Sequence, residues 1–313
     1  DMHKLAIPAS LKAVGRAGAG TNNIPVAEMS RHGIPVFNAP GANANAVKEL
    51  VVAGMLLAAR NLGEALDFAN RLGDRPDAEQ AMEAEKKRFV GSELSGHVLG
   101  VVGLGAVVIK AGSLTELDAA ADYSSFHAPL NDATRGIYGD AALAVSKHGV
   151  VLLNFARDGI IDPGALARGL AEGRIGRYVT DFPKPGLAGD QRVIALPHLG
   201  ASTAEAEENC ALMVVDQLRD FLENGNISNA VNFPATRMAR AGSHRICIAN
   251  RNVPNMIGQI SHVLGSAGLN IAQMHNASRG ELAYNLVDVE SAVPEAVQRE
   301  LAAIEGILSV RVV

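Results

Sequence analysis

The chain has 313 residues, of which 48% are hydrophobic and 19% charged, and its formal net charge at pH 7 is −5. This length and composition are typical of a globular protein with two or three domains. The acidic balance argues against nucleic acid as a partner, and no apolar run approaches the ~18 residues that a membrane span needs. The two cysteines, Cys210 and Cys247, lie in apolar segments, as expected of core residues in a reducing compartment. We therefore expect a cytoplasmic enzyme with no metal site.

The first ninety residues predict two helices, a strand and a connector. The segment 26–32 predicts a short helix that ends at Gly33, and the apolar run 34–38 predicts a strand. Apolar residues then recur at helical spacing, which predicts a long buried helix over 46–61. The charged and irregular segment 71–88 predicts a solvated connector.

A glycine turn follows a short apolar run near position 100. The run 98–102 leads into Gly103-Leu104-Gly105, as a buried strand does when it turns into a helix whose N-terminus cradles a phosphate. Val108 stands where the third glycine of the G-x-G-x-x-G pattern belongs. The turn alone is therefore only half of a dinucleotide-binding fingerprint.

Beyond this turn, predicted strands and helices alternate along the chain. The pattern indicates a doubly wound parallel sheet, that is, a Rossmann-like α/β fold. Its predicted elements are a helix at 113–120, a strand and loop at 123–130, a strand at 150–154, a helix at 162–172, and strands at 178–182 and 193–196.

The last third of the chain predicts a long helix, a linker and a small domain. Ser202-x-x-Glu205 has the spacing of a capping box for a helix that runs through Leu222 and ends at Gly225. The segment 227–243 has little periodicity and predicts a linker. Residues 244–313 then predict the order strand, helix, strand, strand, helix, strand, which is typical of a ferredoxin-like domain.

Three polar side chains follow predicted strands, at the edge where an open α/β sheet binds its ligands. The guanidinium of Arg157 can hold a carboxylate through two hydrogen bonds, and the imidazole of His198 can exchange a proton with a hydroxyl. Asp181 could accept a hydrogen bond from an amide. Each residue has a simpler interpretation, as a surface arginine, a structural histidine or a turn cap. Together, downstream of a glycine turn, they predict hydride transfer.

Longer motifs carry a resemblance to a known family. They are Val-Gly-Leu-Gly at 102–105, Phe-His-Ala-Pro-Leu at 126–130, Asn-Phe-Ala-Arg-Asp-Gly-Ile-Ile-Asp at 154–162 and Pro-His-Leu-Gly-Ala-Ser-Thr at 197–203. These motifs resemble those of the D-2-hydroxyacid dehydrogenases. The segment 15–23 and the helix at 43–61 resemble the branch of the family that oxidises 3-phosphoglycerate, and residues 245–313 resemble the ACT regulatory domain.

The resemblance implies a domain organisation. A flavodoxin-like substrate-binding domain would cover residues 1–62, and the nucleotide-binding domain would cover 63–200. Residues 201–235 would form a returning helix and linker, and 244–313 the ferredoxin-like ACT domain. The long helix at 46–61 is where such enzymes dimerise, so a homodimer or homotetramer is implied.

The resemblance also implies roles for individual residues. Arg157 would anchor the substrate carboxylate and His198 would be the acid/base, while Arg16 and Gly18 would bind 3-phosphoglycerate. In the ACT domain Asn250, Asn252 and Asn270 would contact a serine effector. The residues implied to bind the cofactor NAD are Gly103, Gly105, Phe155, Ala156, Arg157, Asp181, His198, Gly200 and Ala201.

Two departures from the family pattern concern the site. The glutamate that pairs with the family's histidine is missing from Lys184-Pro185-Gly186, and Asp190 is the candidate substitute. A β-α-β unit needs about 30 residues, yet only 17 residues separate Gly105 from Tyr123. We therefore expect a break in the chain after Ala106, where the acid that binds the cofactor ribose would be found.

Two other functions remain open at this point. A related dehydrogenase that reduces glyoxylate or hydroxypyruvate would share these motifs. A catalytically inactive protein that binds an amino acid would also retain the overall pattern, but it would bind no dinucleotide.

Overall fold

The computed structural model describes residues 1–73, 75–103, 112–184, 186–187 and 189–313. Its strands are β1 (Val14–Gly15), β2 (Val36–Phe37), β3 (Leu99–Val102), β4 (Tyr123–Phe126), β5 (Val150–Asn154), β6 (Ile175–Thr180), β7 (Val193–Ala195), β8 (His244–Arg251), β9 (Ile271–Arg279), β10 (Leu282–Val289) and β11 (Ile307–Val312). Its α-helices are α1 (Val26–Arg31), α2 (Ala44–Ala59), α3 (Leu62–Leu72), α4 (Ala78–Glu85), α5 (Leu114–Ala120), α6 (Asp140–Val145), α7 (Pro163–Ala171), α8 (Ala204–Asn224), α9 (Met256–Ser266) and α10 (Glu295–Ala303).

These elements form two compact units. The first unit contains Asp1–Asn43 together with Thr203–Val313, and the second contains Ala44–Ser202. Helix α2, expected in the substrate-binding domain, is therefore part of the unit that carries the glycine turn. The C-terminal domain lies in one unit with the first 43 residues.

The second unit is built around the parallel sheet that the sequence predicts. Its strand order is β3-β4-β5-β6-β7, and all four strand pairings are parallel. Every residue of β5 is buried, because the sheet has an apolar layer on both faces. Leu152 packs into one layer, whereas Leu153 packs into the other, against α2. Helix α2 approaches closely there, since a Cβ at Gly54 would lie 3.2 Å from the Leu153 side chain.

The prediction of an irregular connector over 71–88 is wrong. This segment contains the end of α3, the helix α4 and a 3-10 helix at Lys86–Phe89. The charged residues belong to the exposed faces of these helices, and Leu72 alone is buried within α3. Helix α4 buries no residue and has no clear hydrophobic period, which explains why the pattern was misleading.

The first unit joins a parallel strand pair, β1-β2, to the long helix α8. Thr203 is the N-cap of α8, since its Oγ1 accepts a hydrogen bond from the amide of Ala206 at 3.1 Å. The expected cap at Ser202 is therefore one residue too early, because both residue types can cap a helix. Gly225 ends the helix with a φ of +73°, as expected.

The C-terminal domain has the predicted order of strands and helices. Its antiparallel sheet has the strand order β11-β8-β10-β9. Helices α9 and α10 cover one face, where Ile246 and Ile248 of β8 pack against Ile260 and Leu301. The opposite face packs within the same unit against a cluster of aromatic residues, namely Phe37, Phe221 and Phe233.

Side chains of the C-terminal domain and its linker bind the carboxyl end of α8. The final carbonyls of a helix have no partner within the helix, and guanidinium groups are favourable there because they carry positive charge. The donors are Arg311 to Phe221 and Leu222, Arg240 to Glu223, Arg245 to Asn224, and Tyr284 to Gly225. Arg245 also forms a fully buried ion pair with Asp288, with 2.6 Å between Nε and Oδ1.

Among the described residues, no helix is long and apolar enough to cross a membrane. No group of three or more histidine, cysteine, aspartate or glutamate residues is placed to hold a metal ion within the same ranges. Cys210 and Cys247 are both buried free thiols.

Candidate active site

The loops after β5, β6 and β7 start from one edge of the parallel sheet. Asn154 and Thr180 are register partners at the ends of β5 and β6, and the hydroxyl of Thr180 donates to the carbonyl of Asn154 at 3.0 Å. Beyond β7, the amide of Leu196 donates to the carbonyl of Thr180 at 2.8 Å. Arg157, Asp181 and His198 therefore follow strands that end side by side, as the sequence predicts.

The Arg157 loop is shaped by Asn154. The Asn154 Oδ1 accepts from the amide of Ala156 at 3.2 Å, and its Nδ2 donates to the carbonyl of Arg157 at 3.0 Å. Phe155 is buried beneath this turn and Arg157 is half-buried. Sequence reasoning missed the role of Asn154, although an asparagine at the end of a strand is a known signal for such a side-chain turn.

Asp181 is 1% exposed, and its two carboxylate oxygens differ. Oδ2 accepts from the amide of Gly200 at 2.9 Å, whereas Oδ1 has no hydrogen-bond partner among the described residues. A buried carboxylate oxygen without a donor is costly, and a bound ligand with an N–H group would satisfy it. The carboxamide of a nicotinamide cofactor has such a group. The residues present thus fit NAD at this position.

The backbone of His198 is held in the left-handed region, with a φ of +44°. Its amide donates to the carbonyls of Asp181 and Leu196, both at 3.0 Å, which compensates for this unfavourable conformation. The side chain of His198 is exposed. Its ring contacts Phe182 edge to face, with 5.0 Å between the ring centroids and 84° between the planes. Sequence reasoning missed Phe182.

Asp190, the expected substitute for the histidine's acidic partner, binds another residue. Its Oδ1 accepts from the amide and Nε of Arg192 at 2.9 and 3.0 Å, and its Oδ2 accepts from Nη2 at 2.8 Å. The Arg192 guanidinium and amide hold the pKa of Asp190 below its ordinary value. Within the described ranges, no carboxylate forms a hydrogen bond or ion pair with His198.

Gly103 lies beside the end of β4. Its φ is +94°, and a Cβ there would lie 2.5 Å from the amide nitrogen of Ala128. Only glycine can occupy this position without displacing the neighbouring backbone. The adjacent His127 contacts the hydroxyl of Ser125 at 2.8 Å, and burial lowers its pKa. Gly105 lies outside the described residues.

Arg16 and Gly18 lie in the first unit, in the loop after β1. The amide of Arg16 donates to the carbonyl of Phe37, and the carbonyl of Gly18 accepts from the amide of Ala39, both at 3.0 Å. This loop is therefore fixed to the end of β2.

The three asparagines expected to bind an effector lie in different surroundings. Asn250 is 1% exposed; its Nδ2 donates to the carbonyl of Arg251 and its Oδ1 accepts from Asn285, both at 2.7 Å. Asn252 is exposed and its Nδ2 donates to the carbonyl of Gly280 at 3.1 Å. Asn270 is exposed just before β9. The amide of Asn250 is thus occupied within the protein.

A family of dehydrogenases matches most of this chain. Residues 2–232 match the family described as D-isomer specific 2-hydroxyacid dehydrogenase, catalytic domain. The chain belongs to this family and is an NAD-dependent oxidoreductase.

Similar proteins include D-3-phosphoglycerate dehydrogenases. That of Escherichia coli (strain K12) is 30% identical over 332 aligned positions, which cover 96% of this chain and 81% of the relative. That of Haemophilus influenzae is 29% identical, with the same two coverages. The alignment with the E. coli protein is longer than the 313 residues of this chain, so it contains gaps in this chain. The break expected after Ala106 lies outside the described residues.

Two solved structures resemble the fold. A glyoxylate reductase from Paecilomyes thermophila is 29% identical, with a TM-score of 0.61, over 72% of this chain and 76% of its own. The apo form of Rhodotorula graminis D-mandelate dehydrogenase gives a TM-score of 0.64 over 74% of this chain and 78% of its own. At 23% identity the second resemblance concerns the fold alone.

Proposed function

We propose that this enzyme oxidises 3-phosphoglycerate to 3-phosphohydroxypyruvate with NAD, the first step of L-serine biosynthesis. The observation that carries the proposal is the pairing of Asp181 with His198. Asp181 keeps one buried carboxylate oxygen for a ligand, while its own backbone carbonyl holds the amide of His198 at 3.0 Å. A cofactor held by this carboxylate would lie beside the imidazole. The relatives named D-3-phosphoglycerate dehydrogenase support the choice of substrate.

Each residue at the sheet edge has one task in this reaction. Arg157 binds the substrate carboxylate and orients C2, and His198 takes the proton of the C2 hydroxyl. Asp181 holds the cofactor carboxamide. NAD supplies, when bound, the acceptor for the hydride that leaves C2. The described residues that would line the cofactor are Gly103, Phe155, Ala156, Gly200 and Ala201.

The phosphate group is assigned to Arg16 because the resemblance of the segment 15–23 implies that Arg16 binds the substrate. A guanidinium binds a phosphate through two hydrogen bonds, so Arg16 favours a phosphorylated substrate over an unphosphorylated one. Arg16→Met should lower kcat/KM for 3-phosphoglycerate about 100-fold and leave kcat/KM for D-glycerate unchanged. The control is Arg31→Met, since Arg31 is an exposed arginine of the same unit. An equal loss for both substrates would remove the phosphate assignment.

A reductase of glyoxylate or hydroxypyruvate is the second candidate, because a glyoxylate reductase is 29% identical to this chain. Initial rates with 3-phosphoglycerate and NAD, and with glyoxylate or hydroxypyruvate and NADH, separate the two activities. A higher kcat/KM for the unphosphorylated substrates would replace the first proposal by the second.

Regulation and assembly belong to the same proposal. The C-terminal domain is an ACT domain that binds serine near Asn250, Asn252 and Asn270, and isothermal titration with L-serine tests this. The chain forms a homodimer or homotetramer through α2. Val51 and Gly54 are buried on one face of α2, whereas Val52 and Leu56 are exposed on another, at 49% and 44%. Sedimentation equilibrium of Leu56→Glu tests the interface.

A further inference from the structure

The ring of Phe182 contacts the His198 imidazole edge to face, and among the described residues the imidazole forms no hydrogen bond or ion pair. Both partners of this contact have a fixed backbone. The amide of Phe182 donates to the hydroxyl of Thr180 at 3.1 Å, and the amide of His198 donates to the carbonyl of Asp181, which precedes Phe182. These hydrogen bonds attach the backbone of Phe182 and that of His198 to neighbouring residues, Thr180 and Asp181. The two rings are therefore held close to each other.

The acidic side chains of the neighbouring loops are engaged elsewhere. Asp158 pairs with Lys184 at 2.7 Å, and Asp190 pairs with Arg192 at 2.8 Å. Asp162 caps α7 by accepting from the amide of Ala165. Asp181 uses one oxygen for Gly200 and, in the proposed function, the other for the cofactor. None of these carboxylates is left to orient the imidazole.

We propose that Phe182 is the positioning residue of His198, in place of a carboxylate. In an edge-to-face pair, the positive edge of one ring meets the negative face of the other, which restricts the rotation of the imidazole. The inference rests on the proposed role of His198 as acid/base.

The decisive variant is Phe182→Leu, which keeps an apolar side chain but removes the ring. We expect kcat to fall about tenfold, which corresponds to the upper end of the interaction energy of an aromatic pair. The solvent deuterium isotope effect on kcat should increase, because proton transfer becomes slower, while KM and the Kd for NADH stay within twofold. Phe182→Tyr keeps the ring and should restore kcat. The matched control is Phe68→Leu, since Phe68 pairs with Phe89 at 5.3 Å elsewhere in the same unit.

Two results would overturn the inference. The first is a kcat and isotope effect of Phe182→Leu equal to those of the original enzyme. The second is a fall in kcat of Phe182→Leu that has another cause than the missing ring. Either Phe182→Tyr would fail to restore kcat, or a raised Kd for NADH would fully explain the fall. His198→Gln tests the proposed function separately, because an active His198→Gln enzyme removes His198 as acid/base whatever Phe182 does.

Discussion

Asp181 and Gly200 share a single hydrogen bond, in which the amide of Gly200 donates to Oδ2 at 2.9 Å. The other oxygen of the same carboxylate is buried and has no partner in the described part of the chain. The bond to Gly200 fixes the carboxylate plane and joins the loop after β6 to the loop that carries His198. The free oxygen is therefore held in a fixed place before any ligand arrives, which lowers the entropy lost on binding.

Replacement of this carboxylate should weaken binding of the cofactor. Asp181→Ala should raise the Kd for NADH about 10- to 100-fold, the worth of a hydrogen bond to a charged group. Asp181→Asn keeps one acceptor oxygen and should raise the Kd for NADH less than Asp181→Ala does. Fluorescence titration with NADH measures both. Asp158→Ala is the control, since the Asp158 side chain is 56% exposed in its pair with Lys184. An unchanged Kd in Asp181→Ala would contradict the assignment.

Arg157 should affect binding and chemistry together. Arg157→Ala should raise KM for 3-phosphoglycerate and lower kcat, with kcat/KM falling about 100-fold or more, because one contact positions both the ground state and the transition state. Arg157→Lys keeps the charge but not the two parallel donors. Its kcat/KM should therefore fall less than that of Arg157→Ala, but still substantially. Steady-state kinetics with the control Arg168→Ala, a residue paired with Asp140 at the surface, provides the comparison. Unchanged kinetics in Arg157→Ala would reject the role.

The strands of the site could be predicted, because apolar runs such as 150–154 lie within a sheet that is covered on both faces. Arg157, Asp181 and His198 come directly after such runs, so their placement at one edge follows from the parallel topology. The ring contact of Phe182 could not be predicted in this way. It depends on the left-handed backbone of His198, and only a small minority of histidines adopt that conformation, so the residue type does not predict it.

The helix α4 and the exact cap of α8 were harder to predict for different reasons. Helix α4 buries no residue, so its hydrophobic period is weak. Ser202 and Thr203 are both capping residue types, and the backbone path selects Thr203.

Removal of one partner of the buried ion pair between Arg245 and Asp288 should strongly destabilise the C-terminal domain. Burial raises the pKa of Asp288, but the Arg245 guanidinium and the amides of Ala241 and Gly242 together hold it below its ordinary value. Asp288→Asn leaves a buried guanidinium unpaired and should cost about 3–5 kcal/mol in the free energy of unfolding. Because the pKa is lowered in the native state, Asp288 stabilises the fold at pH values above the ordinary aspartate range. This stabilisation is lost as the pH falls through the native pKa.

Urea denaturation at several pH values measures this effect. The control Glu295→Gln removes an exposed partner of Arg299 in the same domain, at 3.6 Å, and should change the free energy of unfolding by less than about 1 kcal/mol. Equal effects of Asp288→Asn and Glu295→Gln would show that the buried pair has no special weight.

Gln217 of α8 should reduce stability rather than increase it. It is 7% exposed, and neither its Oε1 nor its Nε2 has a hydrogen-bond partner among the described residues. Gln217→Met removes a buried amide at similar volume and should raise the free energy of unfolding by about 1–3 kcal/mol. Gln298→Met is the control and should lower the free energy of unfolding, because Gln298 donates to the carbonyl of Val293 at 3.1 Å. A lower stability of Gln217→Met would indicate that the amide has a partner.

Asp118 and Asp122 should give pH dependences of opposite sign. Asp118 is 5% exposed, and burial raises its pKa above the ordinary 3.8, so the native state binds a proton more tightly than the unfolded state. The contribution of Asp118 to stability therefore declines as the pH rises from about 4 through the native pKa. Asp118→Asn should remove this decline and raise the melting temperature at pH 7 by a few degrees.

The pKa of Asp122 is lowered, first by the hydrogen bond from Lys147 and then by that from the amide of Val98. Its contribution is present above the ordinary pKa and lost as the pH falls through the native pKa. Asp122→Asn should therefore lower the melting temperature at pH 7, by an amount that decreases as the pH falls below the ordinary aspartate range. Differential scanning calorimetry between pH 3 and 8 compares the two variants. If both variants shift the melting temperature in the same direction at pH 7, burial is not the cause of the behaviour of Asp118.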